Sequence, residues 1–88
     1  MKYLIIRHAV ADFEKWKPHY DDHAAAREAA GLVEKEVLRD LSDPNQLLLL
    51  FEMQDLAKAK ELLGSASIRE AMQKGGVIGT PEISFLQS

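Results

Sequence analysis

The chain has 88 residues, 47% of them hydrophobic and 28% charged, with a formal charge of −3 and no cysteine. This is the make-up of one folded domain spanning residues 1–88, and the net negative charge, with no Lys/Arg block, excludes a phosphate-neutralising nucleic-acid surface. The missing cysteine excludes disulfides, thiolate metal sites and a cysteine nucleophile; no stretch approaches the ~20 apolar residues of a membrane span, and the cytoplasm is the expected compartment.

In chain order, "YLIIRHAV" (3–10) predicts a strand, β-branched and aromatic and apolar on both parities. Asp12 suits the N-cap of a helix reaching Ala30, with Gly31 at the C′ position. Pro18 interrupts that pattern because it removes the hydrogen bond to the Glu14 carbonyl, so a short turn over 13–17 and a kink are expected. "LVEKEVLRD" (32–40) predicts a more polar edge strand, "SDPN" (42–45) a turn, and "QLLLLFEM" (46–53) a second strand apolar on both parities. Asp55 then caps a helix that stops at Gly64, and Ser67 with Glu70 forms a capping-box pattern for a further helical piece ending at Gly75–Gly76. "GGVIG" follows a helix instead of opening one, which predicts a turn and no nucleotide loop. The last strand is expected over 82–86, entered through Pro81.

The order strand, helix, strand, strand, helix, strand predicts an α+β domain: a ferredoxin-like βαββαβ chain with a four-stranded antiparallel sheet and both helices on one face. The first and third strands are then central. Helices on one side cover only one face, yet both central strands are apolar on both. A solvated face would alternate to polar, so the second face is expected to be covered by another copy of the sheet in a homodimer.

With this order, "RHAVADFEKWKPHYDDHAAAREAAG" (7–31) and "SIREAMQKGGVIGTPEISFL" (67–86) resemble the dimeric α/β-barrel superfamily, and within it the antibiotic-biosynthesis-monooxygenase-like proteins and their short bacterial relatives. The resemblance covers nearly the whole chain. It implies the ferredoxin-like fold, a sheet-to-sheet homodimer, and a pocket between sheet and helices in which unrelated reactions occur. Haem-degrading members use an asparagine on an early strand, a tryptophan, and a histidine on the second helix. Here the first strand has no asparagine, the second helix has no histidine, and the only tryptophan is Trp16, so that chemistry is disfavoured.

"WKPHYDDH" (16–23) gathers most of the candidate chemistry. At about 100° per residue, Phe13, Trp16, Tyr20, Ala24 and Gly31 share a stripe that takes in His23 and Arg27, whereas Asp21 and Asp22 lie elsewhere and His19 sits at its margin. One reading is a pocket with Trp16 and Tyr20 as walls and His23 and Arg27 as polar anchors. The other has Arg27 reaching the surface and His23 bonded to a backbone carbonyl. His19 and His23 have the spacing of two metal ligands, but no third ligand is evident and no metal is expected. Arg7 and His8 must point to opposite faces of a central strand. Parity does not say which set faces the helices: His8 is either an acid or base in the pocket or a hydrogen-bonding group across the dimer. Glu52 is a possible partner for either arginine. Serines 42, 65, 67, 84 and 88 show no hydrolase triad.

The leading expectation is a cofactor-independent enzyme (monooxygenase, isomerase or cyclase type) acting on a small cyclic or aromatic metabolite. His23 or His8 would move the proton, Arg27 or Arg7 would hold an oxygen, and Trp16 and Tyr20 would stack on the ring. The alternative is a non-enzymatic ligand-binding or structural dimer.

Overall fold

A computed structural model describes residues 1–88. Four strands, β1 (Lys2–Val10), β2 (Leu32–Arg39), β3 (Gln46–Met53) and β4 (Val77–Gln87), form one antiparallel sheet in the order β2-β3-β1-β4. The helices α1 (Phe13–Asp22), α2 (Ala24–Ala29), α3 (Leu56–Leu63) and α4 (Ala66–Lys74) occupy the two crossovers. The expected ferredoxin-like arrangement, with β1 and β3 central, is therefore the one observed. No helix is long and apolar enough to cross a membrane.

Alternation along the strands decides what lies beneath the helices. Leu4, Ile6, His8 and Val10 of β1 and Leu47, Leu49, Phe51 and Met53 of β3 are all buried on one face. Trp16, Tyr20 and Ala59 close over them from α1 and α3, with Phe13, Leu56, Leu62 and Leu63 at the margin. Phe51 and Leu4 are almost completely enclosed at the centre, each a side chain whose burial contributes about 1.5–3 kcal/mol.

The first helix corrects the sequence reading. It runs regularly from Phe13 through Pro18, with the Asp12 carboxylate accepting from the Glu14 N–H at 2.9 Å. Pro18 and Glu14 are both exposed, so water can satisfy the carbonyl that proline leaves without a partner. The break comes at His23 (φ −98°, ψ 10°), after which α2 begins. Gly31 follows at φ +76°, as its expected C′ place requires.

Two further boundaries shift. The N-cap of α4 is Ser65, whose hydroxyl accepts from Ile68 N–H at 3.2 Å, so Ser67 and Glu70 do not open that helix. Strand β4 starts at Val77, not at 82, because Val77 and Ile78 already pair with Val10 and Ala9. The register then slips from Ala9↔Ile78 to Arg7↔Glu82, leaving Gly79, Thr80 and Pro81 opposite the single position of His8. Gly79 takes φ +70°, and the irregularity lets Pro81 sit in an edge strand without breaking a ladder bond.

Candidate functional site

The helix-facing side of the sheet and the inner sides of α1, α3 and α4 frame a partly open cavity of about 60 Å³. Its floor is Ile6, His8, Leu49 and Phe51, and its wall on α1 is Trp16 and Tyr20. Leu62, Leu63, Ile68, Ala71 and Met72 close it from the second crossover. All three histidines of the chain, His8, His19 and His23, line it, as does Arg27.

His8 reaches the cavity because it shares parity with Leu4 and Ile6, and that is the set beneath the helices. Its side chain is 7% exposed, and neither Nδ1 nor Nε2 has a hydrogen-bond partner. Trp16 meets it edge-on, with ring centroids 5.6 Å apart at 73°. A buried imidazole with two unpartnered nitrogens is costly and uncommon, and buried polar groups of this kind normally find a ligand or water. Desolvation by burial lowers its pKa below the usual 6.5, so the ring is neutral at pH 7 and offers one donor and one acceptor.

Trp16 and Tyr20 stack with centroids 4.8 Å apart, since a spacing of four puts them one above the other on α1. The Tyr20 hydroxyl donates to Glu34 Oε1 at 2.6 Å, tying α1 to β2. On the other side of the ring lies the Arg27 guanidinium, 3.7 Å from its centroid. Burial first, and then the Glu34 hydrogen bond, push the Tyr20 hydroxyl well above its usual pKa of 10.0, partly offset by Arg27. Tyr20 is thus a fixed, protonated wall.

His23 and Arg27 also hold the end of α1. His23 Nδ1 donates to the His19 carbonyl at 3.1 Å in its Nδ1–H tautomer, and Arg27 Nη1 donates to the Tyr20 carbonyl at 2.6 Å. At the break the His23 N–H turns to the Tyr20 carbonyl at 3.2 Å, so the His23 ring serves the His19 carbonyl and Arg27 adds a second donor to Tyr20. Both side chains remain on the cavity lining: His23 makes the carbonyl bond of the second sequence reading, whereas Arg27 folds over Tyr20 instead of reaching out to the surface. No group of three or more His, Asp or Glu side chains converges where a metal ion could be held, and His19 and His23 gain no third ligand.

Arg7 is not part of this assembly. It is exposed on the opposite face of β1, beside a wide concavity that it shares with Leu38, Ile78 and Glu82. Glu52 pairs with neither arginine; its partner is Lys35, at 3.1 Å across β2 and β3. The sequence reading missed Glu34, along with the α3–α4 side chains that close the cavity.

No family model matches the chain, and no curated protein matches its sequence. Its fold, however, is shared by solved structures. A protein from Bordetella bronchiseptica, provisionally named an antibiotic biosynthesis monooxygenase, superposes with a TM-score of 0.78 at 13% identity, over 99% of this chain and 95% of that one. A provisionally named counterpart from Caulobacter crescentus gives 0.75 at 17% identity, over 99% and 88%. SnoaB, a cofactor-independent oxygenase from Streptomyces nogalater, gives 0.75 at 14% identity, over 99% and 91%. The chain therefore has the ferredoxin-like fold of the antibiotic-biosynthesis-monooxygenase-like proteins, as the sequence resemblance implied.

Proposed function

We propose that this protein is a small cofactor-independent enzyme of monooxygenase type, acting on a cyclic or aromatic, oxygen-bearing metabolite in the cavity over His8. The observation that carries this reading is His8 itself: a neutral, buried imidazole with both nitrogens free, set in an apolar enclosure beside an indole. Neutral His8 accepts a proton from a substrate hydroxyl or an activated C–H, and the electron-rich substrate then reduces dioxygen directly. A ring CH2 becomes C=O: one oxygen atom ends in the product and the other leaves as water, the substrate supplying both hydrogens of that water and all four electrons. Trp16 and Tyr20 bound the ring plane. Arg27 still has guanidinium N–H groups to offer a developing oxyanion, and His23 at the lining is the natural exit for the proton. The fold shared with SnoaB supports this class of chemistry by analogy. The protein would work as a homodimer through its far sheet face, in the cytoplasm.

A second reading, a binding or structural dimer without catalysis, is favoured by the backbone hydrogen bonds of His23 and Arg27, which are those of helix-terminating residues. One experiment separates the two. The His8 ring is followed by NMR while phenol and dihydroxyaromatic compounds are added, and dioxygen uptake is measured on the same samples. The enzyme reading expects His8 resonances to shift and uptake to fall by about 10²-fold or more in His8→Leu. Shifts with no uptake leave the binding module. Indifference of His8 to every compound removes the pocket altogether.

A further inference from the structure

The pocket over His8 is open to solvent along part of its rim, but its depth is too small for the ring proposed to lie against His8. About 60 Å³ accommodates a few waters, whereas benzene occupies a cavity of about 150 Å³ in another protein. For a ring to be seated wholly inside, a wall must give way, and the walls are not equally held. Helix α1 buries Trp16 and Tyr20 and is tied to the sheet region by Phe13 N–H to Asn45 Oδ1 at 3.0 Å and by Tyr20 to Glu34. Helix α3 buries Ala59 completely. Helix α4 buries no residue; only Ile68, Ala71 and Met72 rest on the cavity. Its side chains make no hydrogen bond or ion pair with another element, and the Ser65 hydroxyl that caps it bonds only to Ile68 and to Leu62 at the end of α3.

The ends of α4 suit movement. Gly64 and Ser65 join it to α3, and Gly75–Gly76 joins it to β4, with the Gly76 carbonyl pinned by Ala11 N–H at 2.9 Å. Gly75 lies directly on the indole: a Cβ placed there would meet Trp16 Cδ1 at 3.2 Å. At Gly75 the α1–α4 seam is shut by backbone against Trp16, and two consecutive glycines absorb a backbone change at low cost.

We propose that α4 is the gate of the cavity. It swings from α1 about its Gly64–Ser65 link to α3, and the seam between Gly75 and Trp16 is where a small aromatic molecule reaches His8. This rests on the cavity being a ligand site. Local opening of a weakly buried element is the expected physical basis, and closure over the occupant then excludes water.

Two geometric facts supply the test. A Cβ at Gly75 would lie 3.6 Å from His19 Cβ, within the ~3.5–4.5 Å that a disulfide spans, and the chain has no cysteine of its own. The double variant His19→Cys/Gly75→Cys therefore staples the seam when oxidised and frees it when reduced. Trp16, the only tryptophan, reports access through quenching by acrylamide. The gate requires the oxidised form's quenching rate constant to fall about tenfold or more below that of wild type, and the reduced form, which carries the same Cβ at position 75 as Gly75→Ala, to rise above it. Gly75→Ala, which wedges the seam, should raise it above wild type. Equal quenching of oxidised and reduced forms overturns the gate, as does a wild type whose Trp16 is not quenched at all. Phenol binding, read on the His8 ring, keeps the two proposals apart. Staple-sensitive quenching without phenol binding retains the gate and removes the enzyme reading. Phenol binding at equal rates in both forms does the reverse. If the double variant does not fold, amide exchange of the wild type decides: α4 amides must exchange far faster than those of residues 16–20, and equal protection overturns the gate.

Discussion

His8 and Tyr20 respond to pH at opposite ends of the scale, and each does so because of where its neighbours put it. Burial holds the His8 pKa below 6.5, so between that folded value and 6.5 the unfolded chain binds a proton that the folded chain refuses. The unfolded state carries more protons there, and stability falls as pH drops below 6.5. Tyr20 is raised above 10.0 by burial and by Glu34, so past pH 10.0 the unfolded chain releases a proton that the folded chain keeps. Stability falls again as pH climbs through that region. Urea midpoints measured across pH should show both slopes. Tyr20→Phe should remove the alkaline one and keep the acid one, and His8→Leu should do the converse. An alkaline slope that survives in Tyr20→Phe would mean other groups carry it. Of these two residues, Tyr20 was legible as a wall because a spacing of four from Trp16 fixes a shared helix face. Its partner Glu34 was not, since an exposed acid in a polar edge strand looks the same whether or not a phenol reaches it.

Helix and strand boundaries are governed by a few glycines and prolines whose surroundings differ. Gly31 and Gly79 both have positive φ, +76° and +70°, but a Cβ at Gly31 would meet Asp55 N and Gln54 Cβ at 3.3 Å, and one at Gly79 would meet nothing within 4 Å. Gly79→Ala should therefore cost only the left-handed backbone penalty, about 1–2 kcal/mol. Gly31→Ala should cost roughly 1 kcal/mol or more beyond that, because the α2–β2 turn must also part from the start of the second crossover. Paired denaturant unfolding measures the difference, and equal losses would show that crowding at Gly31 relaxes freely. The central strands and the caps at Asp12 and Asp55 were readable from parity and side-chain chemistry alone. Pro18 was misread as a break because its cost depends on whether water reaches the stranded carbonyl, and sequence does not show which way that carbonyl faces. The early start of β4 was missed for a similar reason. Glycine and proline mark a turn equally well when they form an irregularity inside a strand, and only the pairing of Val77 and Ile78 with β1 distinguishes the two.

The whole molecule leaves one side of its sheet unfinished. On the face away from the helices, Tyr3, Ile5, Leu48 and Leu50 form a half-buried apolar centre, and Val33, Leu38, Ile78 and Leu86 continue it outward at 38%, 47%, 56% and 47% exposure. Arg7, Glu36, Glu82 and the Lys35–Glu52 pair lie around it, an apolar centre with a charged rim, the pattern that protein interfaces share. Soluble monomers normally keep contiguous exposed apolar patches small, and the expected cover for this one is a second copy of the same face, meeting it across a two-fold axis. Such a sheet-to-sheet contact would bury about 1,200–2,000 Å² in total and add the stability that an 88-residue core supplies only sparingly. Sedimentation at micromolar concentration should accordingly give twice the 9.9 kDa chain mass, and the thermal midpoint should rise with protein concentration. Leu50→Lys, which places a charge opposite Ile5 in the middle of the patch, should abolish that concentration dependence whether its monomer stays folded or not. A folded, concentration-independent monomer in the wild type would sink the dimer. Because β1 carries Ile5 and Arg7 on the outer face and Ile6 and His8 on the inner, pairing two sheets would also stiffen the strand that holds His8. Dilution below the dissociation constant should then broaden the His8 ring resonances together with those of Ile5, whereas broadening of Ile5 alone would show that the two faces of the strand are uncoupled.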